Sequence, residues 1–348
     1  MRANMTRDIR PTVSRHLALR YAAVLILIVL VPQRVAAQES GSPNPKQARN
    51  LAESIPDPAH NLKTSVRGPL QERLEAAYPD SFRTDVDVFL EPRDGWISPE
   101  VFDWWSFRVD PDGLTPEAAE RMFLRISGRE LIFPSVGHDT SCAVVGASRN
   151  LLGSRYGPLI DAHDVVFRVN RAPTEDFVAD VGERTTHHVA WPTDLGENQA
   201  DRRAFLLFNP MTLHTPNLFD RMLSLVENDL GWDPAKVRVV HPEFVRYLHQ
   251  NWMEARGGFP STGFIALMIA VHVCDEVDVF GFGADAEGRW DRYYEDDPAE
   301  PTDLHPADFE GDFRREMDEK GILRVFLGNR SENGVEFPGF QTDDSEHD

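Results

Sequence analysis

The sequence predicts an α/β protein built on one mostly parallel sheet of seven strands flanked by helices. Seven short apolar runs recur between residues 142 and 327, separated by loops rich in Gly, Pro and Asp and by amphipathic stretches. Continuous apolar runs of this length are typical of strands that helices cover on both faces, as in a parallel sheet. The predicted strands are Cys142–Gly146, Val165–Val169, Thr185–Trp191, Ala204–Phe208, Val237–His241, Val277–Gly281 and Leu323–Leu327.

Before the sheet region, residues 1–20 carry five arginines against one aspartate. The apolar run that extends from Leu17 to Val31 has 15 residues, fewer than the roughly 17–25 of a typical membrane span. A basic flank before an apolar run predicts a cytoplasmic N-terminus and a lumenal body. Residues 1–16 are therefore expected to be a cytoplasmic tail. Residues 17–37 are expected to be a signal-anchor or, because Val35-Ala36-Ala37 resembles a cleavage site, a signal peptide.

Residues 38–93 are polar with scattered prolines, which predicts a stem or linker with a helix near Pro69–Tyr78. A second helical pattern runs from Pro99 to Arg129, within a main domain expected to cover residues 94–330. Residues 331–348 hold six acidic side chains and no basic one, so they are predicted to form a flexible tail.

Composition excludes several classes of protein. The 36 Lys and Arg against 57 Asp and Glu give a net charge of −21. Because an acidic body repels phosphate backbones, general nucleic-acid binding is not expected. The two cysteines, Cys142 and Cys274, are too few for a disulfide scaffold or a four-thiolate zinc site. In an oxidising lumen they are expected to form one disulfide, the alternative being two buried thiols.

Four blocks of the sequence resemble motifs of the animal-type sialyltransferases, and the resemblance is closest to the β-galactoside α-2,3-sialyltransferase branch. Residues Cys142–Pro192 resemble the long sialylmotif, and Phe259–Asp285 resemble the small one. Arg292-Tyr293-Tyr294-Glu295 is similar to the third motif, and His305 with Glu310 forms the H-x4-E of the very small motif. All four occur in the family's order.

The resemblance implies a Rossmann-like domain, a GT-A variant, that transfers sialic acid from CMP-sialic acid to a terminal galactoside hydroxyl of glycoprotein or glycolipid glycans. It implies an inverting reaction without a metal or other cofactor. The partners implied are a CMP-sugar donor, a glycan acceptor and, through the N-terminal segment, a membrane. The expected location is the Golgi membrane as a single-pass type II protein, with secretion after signal cleavage as the alternative. The family also joins the motifs of Cys142 and Cys274 by a disulfide.

Two predicted strand ends carry candidate donor-binding residues. Gly146 follows a strand and begins a turn that contains Ala147, Ser148 and Asn150. Backbone N–H groups at such a turn can approach a nucleotide, although an ordinary strand-to-helix turn has the same pattern. Asn170 ends the next strand, where open α/β sheets place ligand groups, and its contact with the donor is implied by the resemblance. His187 and His188 lie on opposite faces of the next predicted strand, and at least one of them is expected to be structural, orienting loops rather than reacting.

The segment Pro260-Ser-Thr-Gly precedes an apolar stretch that predicts a buried helix. Ser261 is a suitable N-cap, and Thr262 and Gly263 at the helix start can cradle a ribose or phosphate. Capping alone explains Ser261 equally well. Phe259 before this segment and Gly283 after the next strand complete the donor residues on this side.

His305 is the candidate general base. It precedes Pro306, a residue favoured at the first helical position, so a helix over residues 306–320 would place His305 at its positive end. That field disfavours the imidazolium and leaves a neutral ring able to accept a proton from the acceptor hydroxyl. Glu310 falls about 140° around the helix and is expected to be structural.

Several positions depart from the family pattern. Ala147 stands where the family has Asn, which removes a hydrogen bond to the donor. Arg292 stands where the family has His, and we expect it to clamp the donor phosphate. Tyr294 of the same motif is a further candidate donor-binding residue. Val109 replaces an acceptor-contacting Gln, and Phe259 replaces a Tyr.

Three functions compete at this point. The first is a glycosyltransferase that uses CMP-sialic acid or a related CMP-sugar such as CMP-Kdo. The second is a catalytically weak protein that binds nucleotide or glycan. The third is a Rossmann-type dehydrogenase, which the absence of G-x-G-x-x-G and its acidic partner disfavours.

Overall fold

The computed structural model describes residues 68–90, 98–107, 140–191, 203–206, 236–284, 291–295 and 305–328. The expectations for residues 1–37 and 331–348, for Val109 and for the helix beyond Phe107 fall outside these ranges. Within the part of the chain that is described, every helix is too short or too polar to cross a membrane.

The described residues form a sheet of seven strands in the order β5-β4-β3-β2-β1-β6-β7, and every neighbouring pair is parallel. The prediction of a mostly parallel sheet with helices is confirmed. Each strand overlaps one predicted apolar run, and β1, β4 and β6 begin one residue earlier than predicted. The strands are β1 (Ser141–Val145), β2 (Val165–Val169), β3 (His187–Ala190), β4 (Arg203–Leu206), β5 (Val237–Val239), β6 (Glu276–Phe280) and β7 (Arg324–Phe326).

The strand order creates a place for a ligand. From β1 the chain adds strands outward to β5 and then returns to the other side of β1 with β6. In open α/β sheets, the crevice at such a reversal lies outside the carboxyl ends of the two strands. The turns that follow β1, β2 and β6 therefore converge at one edge.

Seven α-helices lie among the described residues, together with a 3₁₀ turn at Arg149–Leu151 and a π-helical turn at Leu248–Trp252. The helices are α1 (Pro69–Ala77), α2 (Pro99–Phe107), α3 (Gly157–Asp161), α4 (Val178–Val181), α5 (Pro242–Tyr247), α6 (Thr262–Val273) and α7 (Ala307–Glu319).

Helix α6 is the buried helix that the apolar stretch predicts. It packs against β1, β2, β3 and β6, and its side chains are buried around nearly the whole circumference. A disulfide joins Cys142 in β1 to Cys274 at the end of α6, and both cysteines are buried. The predicted disulfide is confirmed. It fixes the helix to the strand that precedes the turn at Gly146.

The assignment of residues 68–93 to a linker needs correction. Leu70 and Leu74 of α1 are fully buried in the core, and the N–H of Leu90 donates to the carbonyl of Val239 in β5 (2.9 Å). The predicted helix near Pro69 is present, but the folded body already includes residues 68–90. The sequence hides this because α1 buries only three of its residues, one of them Gln71.

Candidate active site

The turns after β1 and β6 are joined by side-chain hydrogen bonds. The hydroxyl of Ser148 donates to the carbonyl of Gly283 (2.6 Å), and the amide of Asn150 donates to the carbonyl of Phe282 (3.0 Å). Gly283 adopts a φ of +90°, a backbone conformation that favours glycine. The structure therefore brings together Ser148, Asn150 and Gly283, three residues that sequence reasoning placed at the donor site.

Several backbone N–H groups of the turn after β1 already donate hydrogen bonds to other parts of the protein. The N–H groups of Gly146 and Ser148 donate to the carbonyls of Phe280 and Gly281, and the N–H of Arg149 donates to Asp291. The sequence suggested that such N–H groups approach a nucleotide, and at these three positions that expectation is wrong. They hold the strand ends together, because neighbouring parallel strands and the third motif lie within hydrogen-bond reach.

The third motif lies directly against this turn. Ser148 pairs with Arg292 in an isolated antiparallel bridge, and the N–H of Tyr293 donates to the carbonyl of Ala147 (3.0 Å). The guanidinium of Arg292 forms an ion pair with Glu295 (2.8 Å). Burial lowers the pKa of Arg292, but Tyr294 and Glu295 outweigh burial, so the pKa lies above its ordinary value. Arg292 is therefore a permanent cation beside the turn.

Asn170 lies at the end of β2, as predicted. It adopts a φ of +50°, its N–H donates to Val189, and its carbonyl accepts a hydrogen bond from Nε2 of His188. Its side-chain oxygen, and that of Asn150, are buried without a hydrogen-bond partner within the described residues. Buried acceptors of this kind call for a partner, and a ligand donor group can supply it.

Ser261 caps α6 and contacts α7 at the same time. Its hydroxyl oxygen accepts from the N–H of Phe264 (3.0 Å) and donates its hydrogen to Glu310 (2.6 Å), whose other oxygen accepts from the N–H of Ser261 (2.9 Å). The predicted N-cap is confirmed. With its hydrogen engaged, the hydroxyl is left able to accept from a ligand such as a ribose hydroxyl.

Gly263, one residue after Thr262 at the start of α6, makes room for a protein side chain. A Cβ at this position would lie 2.7 Å from Cε1 of Phe282. Sequence reasoning explained Gly263 by close approach of a ligand, whereas the structure explains it by packing against Phe282. The ring of Phe282 thus packs the turn after β6 against the start of α6.

His305 lies immediately before α7, and its ring is held by the backbone of Phe259. Nδ1 of His305 is 2.9 Å from that carbonyl oxygen. Because a carbonyl only accepts, Nδ1 carries the hydrogen in this contact, so in the corresponding tautomer Nε2 is the acceptor nitrogen. The helix begins at Ala307 with Pro306 as N-cap, close to the predicted start.

Glu310 joins the first turn of α7, close to His305 in the chain, to Ser261 at the start of α6. It is 4 % exposed, and its carboxylate holds Ser261, so the N-termini of α6 and α7 are fixed to each other. Burial raises the pKa of Glu310 above its ordinary value, although the hydrogen bonds from Ser261 and the nearby His305 and Arg314 oppose this shift. The contact with Ser261 agrees with the structural role expected from the sequence.

Sequence reasoning missed three residues of this region. Phe282 and Arg314 stack on each other, with the guanidinium carbon 5.0 Å from the ring centroid. Trp104 packs on Phe259, with ring centroids 5.7 Å apart, and so adjoins the segment that holds His305. The Gly-Phe-Gly run around Phe282 and the four-residue spacing from Glu310 to Arg314 are the signals that point to the first two.

The chain is similar in sequence to known proteins. The family model for Glycosyltransferase family 29 (sialyltransferase) matches residues 104–322. Human CMP-N-acetylneuraminate-beta-galactosamide-alpha-2,3-sialyltransferase 1 is 34% identical over 276 residues, covering 74% of this chain and 80% of the relative. Rat CMP-N-acetylneuraminate-beta-galactosamide-alpha-2,3-sialyltransferase 2 is 35% identical over 275 residues, covering 73% and 78%.

Solved structures agree with the sequence matches. A crystal structure of a mammalian sialyltransferase superposes with a TM-score of 0.65 at 28% identity, covering 76% of this chain and 98% of that one. A mammalian sialyltransferase in complex with Gal-beta-1-3GalNAc-ortho-nitrophenol gives 0.63 at 26% identity, covering 79% and 100%. The resemblance drawn from the four motifs is confirmed, and the chain belongs to glycosyltransferase family 29, the sialyltransferases.

Proposed function

We propose that this sialyltransferase moves sialic acid from CMP-sialic acid to a terminal galactoside hydroxyl of a glycoprotein or glycolipid, with inversion and without a metal, and that His305 is the general base. The observation that carries the proposal is a continuous set of contacts from the base to the donor turns. His305 is hydrogen-bonded to the carbonyl of Phe259, Glu310 is hydrogen-bonded to Ser261, and Phe282 packs against Gly263. The finer fold assignment, a Rossmann-like GT-A variant, belongs to the same proposal.

In the proposed reaction, Nε2 of His305 takes the proton of the acceptor hydroxyl while that oxygen forms a bond to the anomeric carbon of sialic acid. The bond from this carbon to the phosphate of CMP breaks on the opposite face, through an oxocarbenium-like state, and CMP leaves with one more negative charge. The N-terminal ends of α6 and α7 favour negative charge nearby.

The donor residues follow from the site. Ser148, Asn150, Asn170 and the start of α6 at Thr262 would bind CMP, and the unpartnered oxygens of the two asparagines supply acceptors for its hydroxyl or amino groups. Arg292 would bind the phosphate. Ala147 offers only its backbone where the family has an Asn side chain.

The acceptor class follows from the relatives. The names of the human and rat relatives specify beta-galactosamide acceptors and an alpha-2,3 linkage, and one neighbouring structure holds Gal-beta-1-3GalNAc-ortho-nitrophenol. We carry the galactoside over to this chain. The location follows from residues 1–37, which support a Golgi type II membrane protein or a secreted one after cleavage.

The test uses the compact unit that runs from Pro58 to Asp348, incubated with CMP-sialic acid or CMP-Kdo over a panel of galactosides. We expect sialic acid transfer, and His305→Ala should lower kcat by about 10²–10⁴, the usual contribution of a general base, while the Kd for CMP stays unchanged. Transfer from CMP-Kdo but not from CMP-sialic acid would show that CMP-Kdo is the donor. CMP binding without transfer would identify a binding protein, and an unchanged kcat in His305→Ala would refute the base.

A further inference from the structure

Helix α7 carries two adjacent arginines in opposite environments. Arg315 is a surface residue whose side chain is 67% exposed and pairs with Asp312. Arg314 is 8% exposed and lies on the buried face of the helix with Glu310. Because burying a guanidinium is costly, a buried arginine needs compensating contacts at its position.

The contacts of Arg314 lead to the donor turn after β6. Nη1 donates to the carbonyl of Glu310 (3.1 Å), and the guanidinium plane covers the ring of Phe282. Nη2 lies 3.8 Å from the position that a Cβ at Gly283 would occupy. The guanidinium therefore lies against both residues of the turn whose carbonyls accept from Asn150 and Ser148.

The carboxylate of Glu310, four residues before Arg314 on the same buried face of α7, is already engaged by another residue. Both oxygens of Glu310 accept hydrogen bonds from Ser261. Burial lowers the pKa of Arg314 below its ordinary value, and the charge of Glu310 opposes this shift only in part. The guanidinium contacts a main-chain oxygen and an aromatic face. Its planar shape matters for both contacts, since a lysine cannot stack or donate in a fixed fork.

We propose that Arg314 is a positioning residue for the nucleoside part of the donor: it clamps Phe282 and Gly283 so that Ser148 and Asn150 are held in their binding geometry. This inference rests on the proposed function. It gives Arg314, in the second turn of α7, a role in donor recognition. His305, which precedes the same helix, is proposed to act on the acceptor hydroxyl.

The test compares the wild type with Arg314→Met, Arg314→Lys and the control Arg315→Met. Arg314→Met should raise the donor KM and the Kd for both CMP and cytidine by about tenfold, as for the loss of one charged hydrogen bond, with kcat and acceptor KM within about twofold. Arg314→Lys should bind CMP and cytidine as weakly as Arg314→Met does, because lysine keeps the charge but lacks the planar guanidinium. Arg315→Met should match the wild type.

Four results would overturn the inference. They are wild-type affinities in Arg314→Met, recovery in Arg314→Lys, weakening confined to CMP and absent for cytidine, and equal weakening in Arg315→Met. If Arg314→Met does not fold, Arg314→Lys is judged by the same affinities. Because CMP and cytidine binding are measured without transfer, a wild type that binds CMP but transfers nothing refutes the proposed reaction and leaves the Arg314 comparison readable.

Discussion

A single hydroxyl, that of Ser261, links two helices because its oxygen accepts on one side and its hydrogen is donated on the other. The acceptor of that hydrogen, Glu310, is buried and uses both oxygens. Serine before an apolar helix is visible in the sequence as a cap. Its carboxylate partner lies 49 positions away and joins it only when α6 and α7 pack side by side.

Glu310→Gln tests this link. A glutamine has one oxygen instead of two, so its NH₂ group would face either the N–H or the O–H of Ser261 and leave a buried donor unsatisfied. We expect the free energy of unfolding to fall by about 1–3 kcal/mol, measured by urea denaturation. Glu316→Gln is the control, because this half-exposed side chain pairs with Lys320 on the surface and should change stability by about 1 kcal/mol or less. Equal losses in both variants would contradict the role given to Glu310.

Arg292→Ala tests the cation of the third motif. If Arg292 binds the donor phosphate, its removal should lower kcat/KM for CMP-sialic acid by roughly 10–100-fold, the range expected for a charged hydrogen bond. Arg315→Ala removes a surface arginine from an ion pair of the same spacing and should leave kcat/KM unchanged. Unaltered donor affinity and turnover in Arg292→Ala would show that the ion pair with Glu295 is its only role.

Residue-level prediction worked where a side chain's neighbours are close in sequence. Ser148 as a turn residue and Ser261 as a cap follow from local patterns. The reason for Gly263 was misread, because the group that needs its missing side chain is Phe282, which comes from another element. Arg314 was missed for the same reason: its four-residue spacing from Glu310 places the two on one face of α7, but that spacing does not reveal that this face packs on the turn after β6.

At the scale of elements, α6 was the clearest prediction because its apolar residues leave no polar face. It nevertheless contains a histidine. His272 is 3% exposed, with Nδ1 donating to the carbonyl of Met268 (2.6 Å) and Nε2 accepting from the hydroxyl of Tyr247 (3.3 Å). Both ring nitrogens are therefore satisfied in the neutral form, and burial lowers the pKa of His272 to about 4.

This helix should make the protein sensitive to acid. A pKa lowered on folding means that the unfolded chain binds the proton more readily, so stability is present above the ordinary pKa of about 6.5 and is lost as the pH falls toward 4. His272→Phe should reduce the loss of unfolding free energy between pH 7.5 and 5 by about 2 kcal/mol, measured by urea denaturation at both values. His241, whose pKa burial also lowers to about 4, remains in both proteins and accounts for a remaining loss. The same drop in the variant as in the wild type would mean that His272 is not neutral in the fold.

The strands were predicted well because burial on both faces leaves an unbroken apolar run. All five residues of β2 are buried, and the predicted and observed limits coincide.

Helix α1 was predicted as a helix but not as part of the core. Its inward face consists of Leu70, Gln71 and Leu74, and Gln71 is buried because its amide donates to the carbonyls of Val271 and Cys274 at the end of α6.

For the whole molecule, the charge of −21 raises the question of how an anionic donor is held. The net charge of the whole chain disfavours an anionic ligand, so the proposed donor site needs a positive local field. In that proposal the N-terminal ends of α6 and α7 near Ser261 and the cation of Arg292 would supply the field within an acidic body.

The extent of the folded body is the last property that belongs to the whole molecule. A chain that begins at Pro58 keeps α1 and the segment that pairs with β5, whereas one that begins at Asp94 loses Leu70, Leu74 and the bridge from Phe89 to Val240. Removing even one buried leucine typically costs about 2–5 kcal/mol, a large part of the stability of an ordinary domain. We expect the chain from Pro58 to unfold cooperatively and the chain from Asp94 to be aggregated or to lack a thermal transition. As a matched pair in the longer chain, Leu74→Ala should lower stability by about 2–5 kcal/mol and the exposed Glu72→Ala by less than about 0.5 kcal/mol. A chain from Asp94 that melts at the same temperature as the longer one would restore the linker assignment for residues 68–93.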